Sequence, residues 1–287
     1  MNPDHLETIT QLPDRIQFSK FSASANDFIV LDNRSGQFTH CASLLAKRLC
    51  SRRYSIGADG LILIENSNKA SFRVRFINPD GIQFNTCGNG GRCAARYALL
   101  SVIAGRKMNL ETNIGVIDAE VVGSSVKIRF VTPSRFTLNV PIILDGKVIK
   151  GHFVRLGDPH FLLYVTDIRK HKIIPLARKI RYHERFKPEG VNVHFIEPLN
   201  RHYVKIRSYE RGVEDETLAC GSGCISAAIA TYATKQTMPP ITFEPQSGIP
   251  LIVHFPEESN FQDLYLEGDA RLIYRGELTK ESLLGFP

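Results

Sequence analysis

The chain of 287 residues has no apolar run approaching the length of a bilayer span. It opens on MNPDHLETITQLPD, polar and acidic, without the basic segment and apolar stretch of a signal peptide. No two of its six cysteines have the two-residue spacing of a zinc knuckle, and no nucleic-acid-binding motif accompanies its net charge of +7. These absences weigh in turn against a membrane protein, an exported disulfide scaffold, a zinc module and a nucleic-acid binder. They leave the expectation of reduced thiols in a cytoplasmic protein. Much of the positive charge lies between Arg169 and Lys187, where Ile173, Ile174, Leu176, Ala177 and Ile180 suit a short amphipathic helix with a solvated basic face. A mildly basic cleft would attract a dianionic small molecule.

What the chain does have is a repeated turn. CGNGGRCAA begins at Cys87 and CGSGCISAA at Cys220, an offset of 220 − 87 = 133 residues. Phe28 with Phe161, Gly57 with Gly190, Glu111 with Glu244 and Gly115 with Gly248 fall in the same register. A repeat of this length marks domains rather than solenoid units. The expected fold class is therefore α+β: two pseudo-symmetric domains from an internal duplication, each a curved, mostly antiparallel sheet around a central helix. Ala94, Ala95 and Ala98 in one copy, and Ala227, Ala228 and Ala230 in the other, let strands approach that helix closely. The expected boundaries are a flexible leader over 1–15, a first half over 16–139 and a second half over 140–276. PSRFTLNVP at 133–141 is the expected linker, and a C-terminal strand at 277–287 is free to return to the first half.

Both repeated turns set a cysteine at the start of a helix. A helix N-terminus offers unpaired N–H groups and about half a unit of positive charge, so each turn is an anion cradle with a thiol at its lip. Such a position is expected to lower a cysteine pKa from about 8.5 toward neutrality. Two cradles facing one another across a cleft would hold one carboxylate between two thiols. A thiolate could then take the hydrogen from the adjacent carbon while a thiol on the opposite face returns one, which inverts the centre with no cofactor or metal. The helix termini would stabilise the charge that develops on the carboxylate. Cys41, Cys50, Cys93 and Cys224 read as small buried hydrophobes.

At these residues the sequence resembles the diaminopimelate epimerase family, which works without pyridoxal phosphate. The resemblance runs from about Ile16 to Leu278 through ANDFIVLD, IGADGL, FINPDG, CGNGGRCAARY, ETNIGV, GDPHF, GVNVHF and YERGVEDETLACGSG. It implies interconversion of LL- and meso-diaminopimelate for lysine and peptidoglycan synthesis. It also implies that Cys87 and Cys220 are the acid/base pair, that His160 and Glu210 tune those thiols, and that Gly88, Asn89, Gly221 and Ser222 cradle the reacting end. Asn26, Asn78, Asn192 and Arg211 match substrate contacts, and Glu210 lies among them. The implied partner is a small amino acid, with neither nucleic acid nor membrane; whether the chain pairs as a homodimer is left open.

Three departures from the family pattern bear on specificity. Ser22 to Ala25, SASA, replace a glycine-containing approach to the NDF motif, Gly60 stands where many members have glutamine, and Asp158 replaces the asparagine of GNPH. Asp158 would add a carboxylate at the far end of the substrate, attracting an ammonium and repelling a carboxylate. A relative that racemises another amino acid, such as glutamate, is therefore the alternative within the class. An isomerase of the phenazine-biosynthesis type lacks the paired cysteines. A thiol redox or metal-binding protein is the alternative from a different class.

Overall fold

The structure, a computed structural model, describes residues 9, 11–85, 87–258 and 260–283. In chain order its elements are β1 (Arg15–Ala23), β2 (Asn26–Asp32), α1 (Ala42–Leu49), β3 (Gly60–Glu65), β4 (Phe72–Ile77), β5 (Gln83–Phe84) and α2 (Gly88–Leu100). There follow β6 (Lys107–Thr112), β7 (Gly115–Val122), β8 (Ser125–Arg129), β9 (Arg135–Leu144), β10 (Lys147–Leu156), β11 (Asp158–Tyr164), α3 (Ile173–Arg181), β12 (Asn192–Asn200) and β13 (Tyr203–Glu210). Next come β14 (Asp215–Thr217), α4 (Gly221–Ala233), β15 (Ile241–Glu244), β16 (Leu251–His254), β17 (Tyr265–Asp269) and β18 (Arg271–Thr279). Two compact units result: one from the chain up to Ile128 together with the segment from Asp269, the other from Arg129–Gly268.

The first unit is an α+β layer structure. Its pairings are antiparallel except β2 with β3 and β4 with β6. α2 lies against β1, β2, β7 and β18 and buries Cys93, Ala94, Ala95 and Ala98, so the small-residue helix is central, as its composition demands. α1 packs into a second cluster with Ile29, Leu31, Leu61, Leu63 and Ile77. Ile9 and Leu12 are buried in that cluster, so this part of the expected leader is core; residues 1–8 and 10 lie outside the described residues. β18 pairs antiparallel with β1 and returns the chain to this unit, earlier than the expected strand at 277–287, of which 284–287 lie outside the described residues.

The second unit repeats the plan. Among the pairings described, β11 with β12 and β13 with β15 run parallel, and α4 lies against β10, β11, β12 and β16. α3 buries Ile173, Ala177 and Ile180 at helical spacing, while Arg181 turns inward rather than joining the basic face. The expected linker at 133–141 is largely strand: Arg135–Leu144 pairs antiparallel with β10 and buries Val140 and Ile142 on one face. The contact boundary accordingly falls at 128/129, not 139/140.

Strand registers place the duplication more finely than the sequence offset does. The antiparallel pair Ile62↔Phe76 of β3–β4 corresponds to His194↔Ser208 of β12–β13, and the parallel pair Phe28↔Gly60 to His160↔Asn192. The offset is then 194 − 62 = 132 and 160 − 28 = 132, against 220 − 87 = 133 at the cysteines. Phe28 therefore answers to His160, not to Phe161, whose ring belongs to the cluster under α3. A one-residue slip of this kind moves every side chain to the other face of a sheet.

Candidate active site

Each cysteine is an N-cap. Cys87 (φ −150°, ψ 118°) and Cys220 (φ −121°, ψ 106°) are extended, and the 13-residue helices α2 and α4 follow immediately. The glycines serve close packing here. A Cβ at Gly90 would lie 2.8 Å from the Phe76 ring, and one at the matching Gly223 would lie 2.4 Å from His194. Contacts that short are not tolerated, so each glycine lets its helix start sit directly on the sheet.

In the first unit the Gly90 N–H donates to the Cys87 sulfur at 3.3 Å, and Cys87 is half-buried. Asn89 joins Asn26, its amide donating to the Asn26 carbonyl oxygen at 3.2 Å. Behind them stands a network that the sequence reading missed. The Asn26 amide donates to Asp59 at 2.8 Å, Arg52 bridges Asp27 and Asp59 at 2.5 and 2.9 Å, and the buried Lys20 pairs with Asp27 at 2.7 Å. Burial pushes the Asp27 carboxyl up, but the hydrogen bonds from Arg52 and Lys20 outweigh it and hold the group down at about 2. Arg92, fully buried, donates to Asn89 at 2.9 Å and to Ser24 at 3.0 Å. Ser24 and Ala25 hold the left-handed conformation (φ 52° and 65°) in which glycine is usual, and the Ser24 N–H is held by Asp269 at 2.8 Å. Asn78 follows β4 in the NPDG turn, its carbonyl accepting from the Gly81 N–H at 2.8 Å, and among the described residues it is not bonded to the other candidates of this unit.

The second unit gathers the remaining candidates. Cys220 is buried and lies 3.5 Å from the Ser222 hydroxyl. Glu210 hydrogen-bonds to Cys220 and accepts from the Thr217 hydroxyl. Burial first, and the Glu210 charge second, push the Cys220 thiol well above its usual range. This reverses the expected lowering: at this helix start, desolvation and a neighbouring carboxylate outweigh the hydrogen bonds from Ser222 and the Gly223 N–H. Burial likewise raises Glu210, with Asp158 adding to it.

His160 is fully buried, and desolvation, with His194 and Arg211 adding, drives its imidazole well below the usual range. Asn192 is a brace: its carbonyl accepts from the Arg211 N–H at 2.8 Å and its amide donates to the Pro159 carbonyl at 3.3 Å. Asp158 does not stand alone but forms an ion pair with Arg211. Gly60 is closely hemmed, since a Cβ there would lie 3.2 Å from the Ile77 carbonyl oxygen and 3.3 Å from the Phe28 ring. Among the described residues no group of three His, Cys, Asp or Glu side chains is placed to hold a metal, and no helix is long and apolar enough to cross a membrane.

Asp27 and Asp59 lie inside the quoted NDF and IGADG motifs, so their presence was legible while their pairing was not. His194 lies inside the quoted GVNVHF motif, where only Asn192 was singled out.

Solved structures share the fold at low identity. A phenazine biosynthesis protein of the PhzF family from Bacillus anthracis superposes with a TM-score of 0.68 at 16% identity, covering 93% of this chain and 99% of that one. A hydroxyproline epimerase from Agrobacterium vitis, with trans-4-hydroxy-L-proline bound, gives 0.64 at 14% identity, covering 94% of each. Sequence relatives are closer. A diaminopimelate epimerase of Aquifex aeolicus is 37% identical over 280 residues, 93% of this chain and 99% of the relative. One of Chlorobaculum tepidum is 40% identical over 262 residues, 90% and 99% respectively. The family model described as diaminopimelate epimerase matches residues 18–133 and 152–273, two segments that carry the two cysteine turns. With that match over most of its length, the chain belongs to the diaminopimelate epimerase family and is an isomerase of the epimerase class.

Proposed function

We propose that the chain interconverts LL- and meso-diaminopimelate by a two-base mechanism in which Cys87 and Cys220 are the acid/base pair, with no cofactor. One sulfur, as thiolate, takes the α-hydrogen as a proton, and the C–H electron pair stays on carbon. The other sulfur gives its S–H proton to the opposite face of that carbon and is left as the thiolate. The observation that carries this reading is the matched placement of the two cysteines as N-caps of equivalent helices within a chain of this family. Cys220, kept protonated by burial and Glu210, suits the proton donor of the resting enzyme, and Glu210 suits the group that influences its proton in the reverse direction. Asn26 and Asn89 in one unit, and Asn192, Arg211, Gly221 and Ser222 in the other, are assigned to holding the amino acid, with Asn78 beside them. The setting is a cytoplasm in which meso-diaminopimelate feeds lysine and peptidoglycan synthesis.

One observation favours a second reading. Arg211 is already paired with Asp158, so a distal substrate carboxylate meets a partly neutralised arginine, and a shorter or differently charged amino acid such as glutamate competes better. Both readings are tested by incubating a panel of amino acids in deuterated buffer and measuring isotope uptake at the α-carbon together with change of configuration. Uptake with diaminopimelate and not glutamate supports the first; absence of uptake with every amino acid overturns both.

A further inference from the structure

His160 ends a buried chain of polar side chains that the two-thiol mechanism does not by itself require. Its Nδ1 lies 2.8 Å from His194 Nε2, and His194 Nδ1 lies 2.8 Å from the Ser208 hydroxyl oxygen. His160 and His194 are fully buried and Ser208 is nearly so. The three side chains come from adjacent strands β11, β12 and β13, His194 and Ser208 being a direct cross-strand pair, and the His194 ring fills the space that Gly223 leaves at the start of α4. The other end of the chain is open: His160 Nε2 is buried and has no hydrogen-bond partner among the described residues. An unmet buried group of this kind costs about 1–3 kcal/mol, so it persists where something outside the resting contacts uses it.

The scaffold does not demand this chain. The equivalent positions in the first unit, at the offset of 132, are Phe28, Ile62 and Phe76, all buried and apolar. The same fold therefore packs with no polar atom at these three sites, and replacing buried polar groups by apolar ones is often neutral or stabilising.

We propose that His194 is a positioning residue for His160, the Ser208–His194–His160 chain fixing the ring plane and the tautomer with which His160 presents its Nε2. A neutral imidazole carries one N–H, so across the 2.8 Å contact one ring donates and the other accepts. If the Ser208 hydroxyl donates to His194 Nδ1, His194 donates from Nε2 and the His160 proton sits on the outward Nε2. If Ser208 accepts, every bond reverses and the outward Nε2 is bare. Burial favours the neutral form of both rings, driving His194 down to about 3, so the choice is between two neutral tautomers rather than between charge states. The same logic orders ligand histidines in metal sites, where the second ring nitrogen sets what the first presents.

The catalytic consequence rests on the function proposed above; the tautomer itself does not. The test uses the whole protein labelled with 15N-histidine and three variants. His194→Leu fills the space beside Gly223 without nitrogens, His194→Gln returns an amide near the position of Nε2, and Ser208→Ala removes the end of the chain. Wild type is expected to show His160 in a single neutral tautomer, and H194L and S208A a changed or averaged one. H194L should lower kcat by about 10- to 100-fold with KM nearly unchanged, the scale seen when a reacting group is slightly misplaced, and H194Q should recover most of that loss. An unchanged His160 tautomer in H194L overturns the proposal whatever happens to kcat, as does an H194Q no better than H194L. If H194L does not fold, S208A decides by the same spectrum. A wild type that exchanges no α-hydrogen removes the proposed function, while the spectrum still decides the positioning role.

Discussion

The two units hold the same backbone positions and fill them with different chemistry. At an offset of 132 residues Asn26 answers to Asp158, Phe28 to His160, Ile62 to His194 and Asn78 to Glu210, and at 133 Cys87 answers to Cys220. In the first unit these side chains are neutral or apolar, and Lys20, Asp27, Arg52 and Asp59 pair with one another behind Asn26. Around Cys220 they are titratable. Symmetric backbones thus place two equivalent cysteines, while Glu210, which helps raise the Cys220 thiol, has a neutral amide as its counterpart in the first unit. Such an asymmetry suits the proposed mechanism, in which one sulfur begins as donor and the other as acceptor.

The bluntest way to break this comparison is to remove either sulfur. Cys87→Ala and Cys220→Ala should each lower turnover by at least about 10²–10⁴-fold, the scale of a lost general acid or base, measured from both the LL and the meso substrate. A variant that stays within tenfold of wild type in either direction would rule out the two-base assignment.

Glu210→Gln sharpens the comparison by giving Cys220 a neutral amide neighbour, as Asn78 is at the matching position of the first unit. Burial would still hold the Cys220 thiol up, but the charge contribution would vanish, so Cys220 should alkylate faster with iodoacetamide at a fixed pH near 8. Turnover should nonetheless fall by at least about tenfold, because a group that assists proton movement has been lost. Alkylation and turnover that move in the same direction would show that Glu210 acts on Cys220 only through packing.

How much of this was legible in the sequence depended on which residues carried a local signal. The cysteine turns did, because glycines and alanines at fixed spacing have few other uses, and both central helices follow from them. The strand register did not. FIVLD and GLILIE are buried on both faces, so no alternation marks which side chain points where, and a matched pair of phenylalanines suggested an offset that is one residue out. Asp158 was legible as a departure, but its partner was not, since Arg211 lies 53 residues on, just after β13, which β12 separates from β11 in the sheet. Ile9 and Leu12 were isolated apolar residues in a polar stretch, and only α1 and the C-terminal segment give them a core to join.

A third test addresses the charges behind Asn26. The Asp27 carboxyl is held at about 2 against an ordinary 3.8, a depression worth about 2 kcal/mol to the folded state. Because the folded value is the lower one, this stability is present in full above pH about 4 and is lost as pH falls through about 2. Asp27→Asn should therefore unfold more easily than wild type at pH 7, and the gap between the two should close between pH 4 and 2. A gap that is independent of pH would place the loss in shape rather than charge.

The smallest expected effect comes from making the second unit resemble the first at one position. Asp158→Asn places an asparagine where the first unit has Asn26 and releases Arg211 from its ion pair. Asp158 is 59% exposed, so the pair is largely solvated; such pairs are worth about 0–1 kcal/mol, which limits the gain for a competing carboxylate to about fivefold. If Arg211 holds the distal carboxylate of diaminopimelate, KM for that substrate should fall by up to that factor while kcat stays within about twofold, as expected when an interaction is equally present in ground and transition states. Activity on a shorter acidic amino acid should change by a different factor, since its carboxylate does not reach the same place. The KM gain should also shrink in high salt, because the ion pair that limits wild type is screened there. A KM that is unchanged at both low and high salt would mean that Arg211 and Asp158 satisfy only each other, and the departure at position 158 would then carry no consequence for what the enzyme accepts.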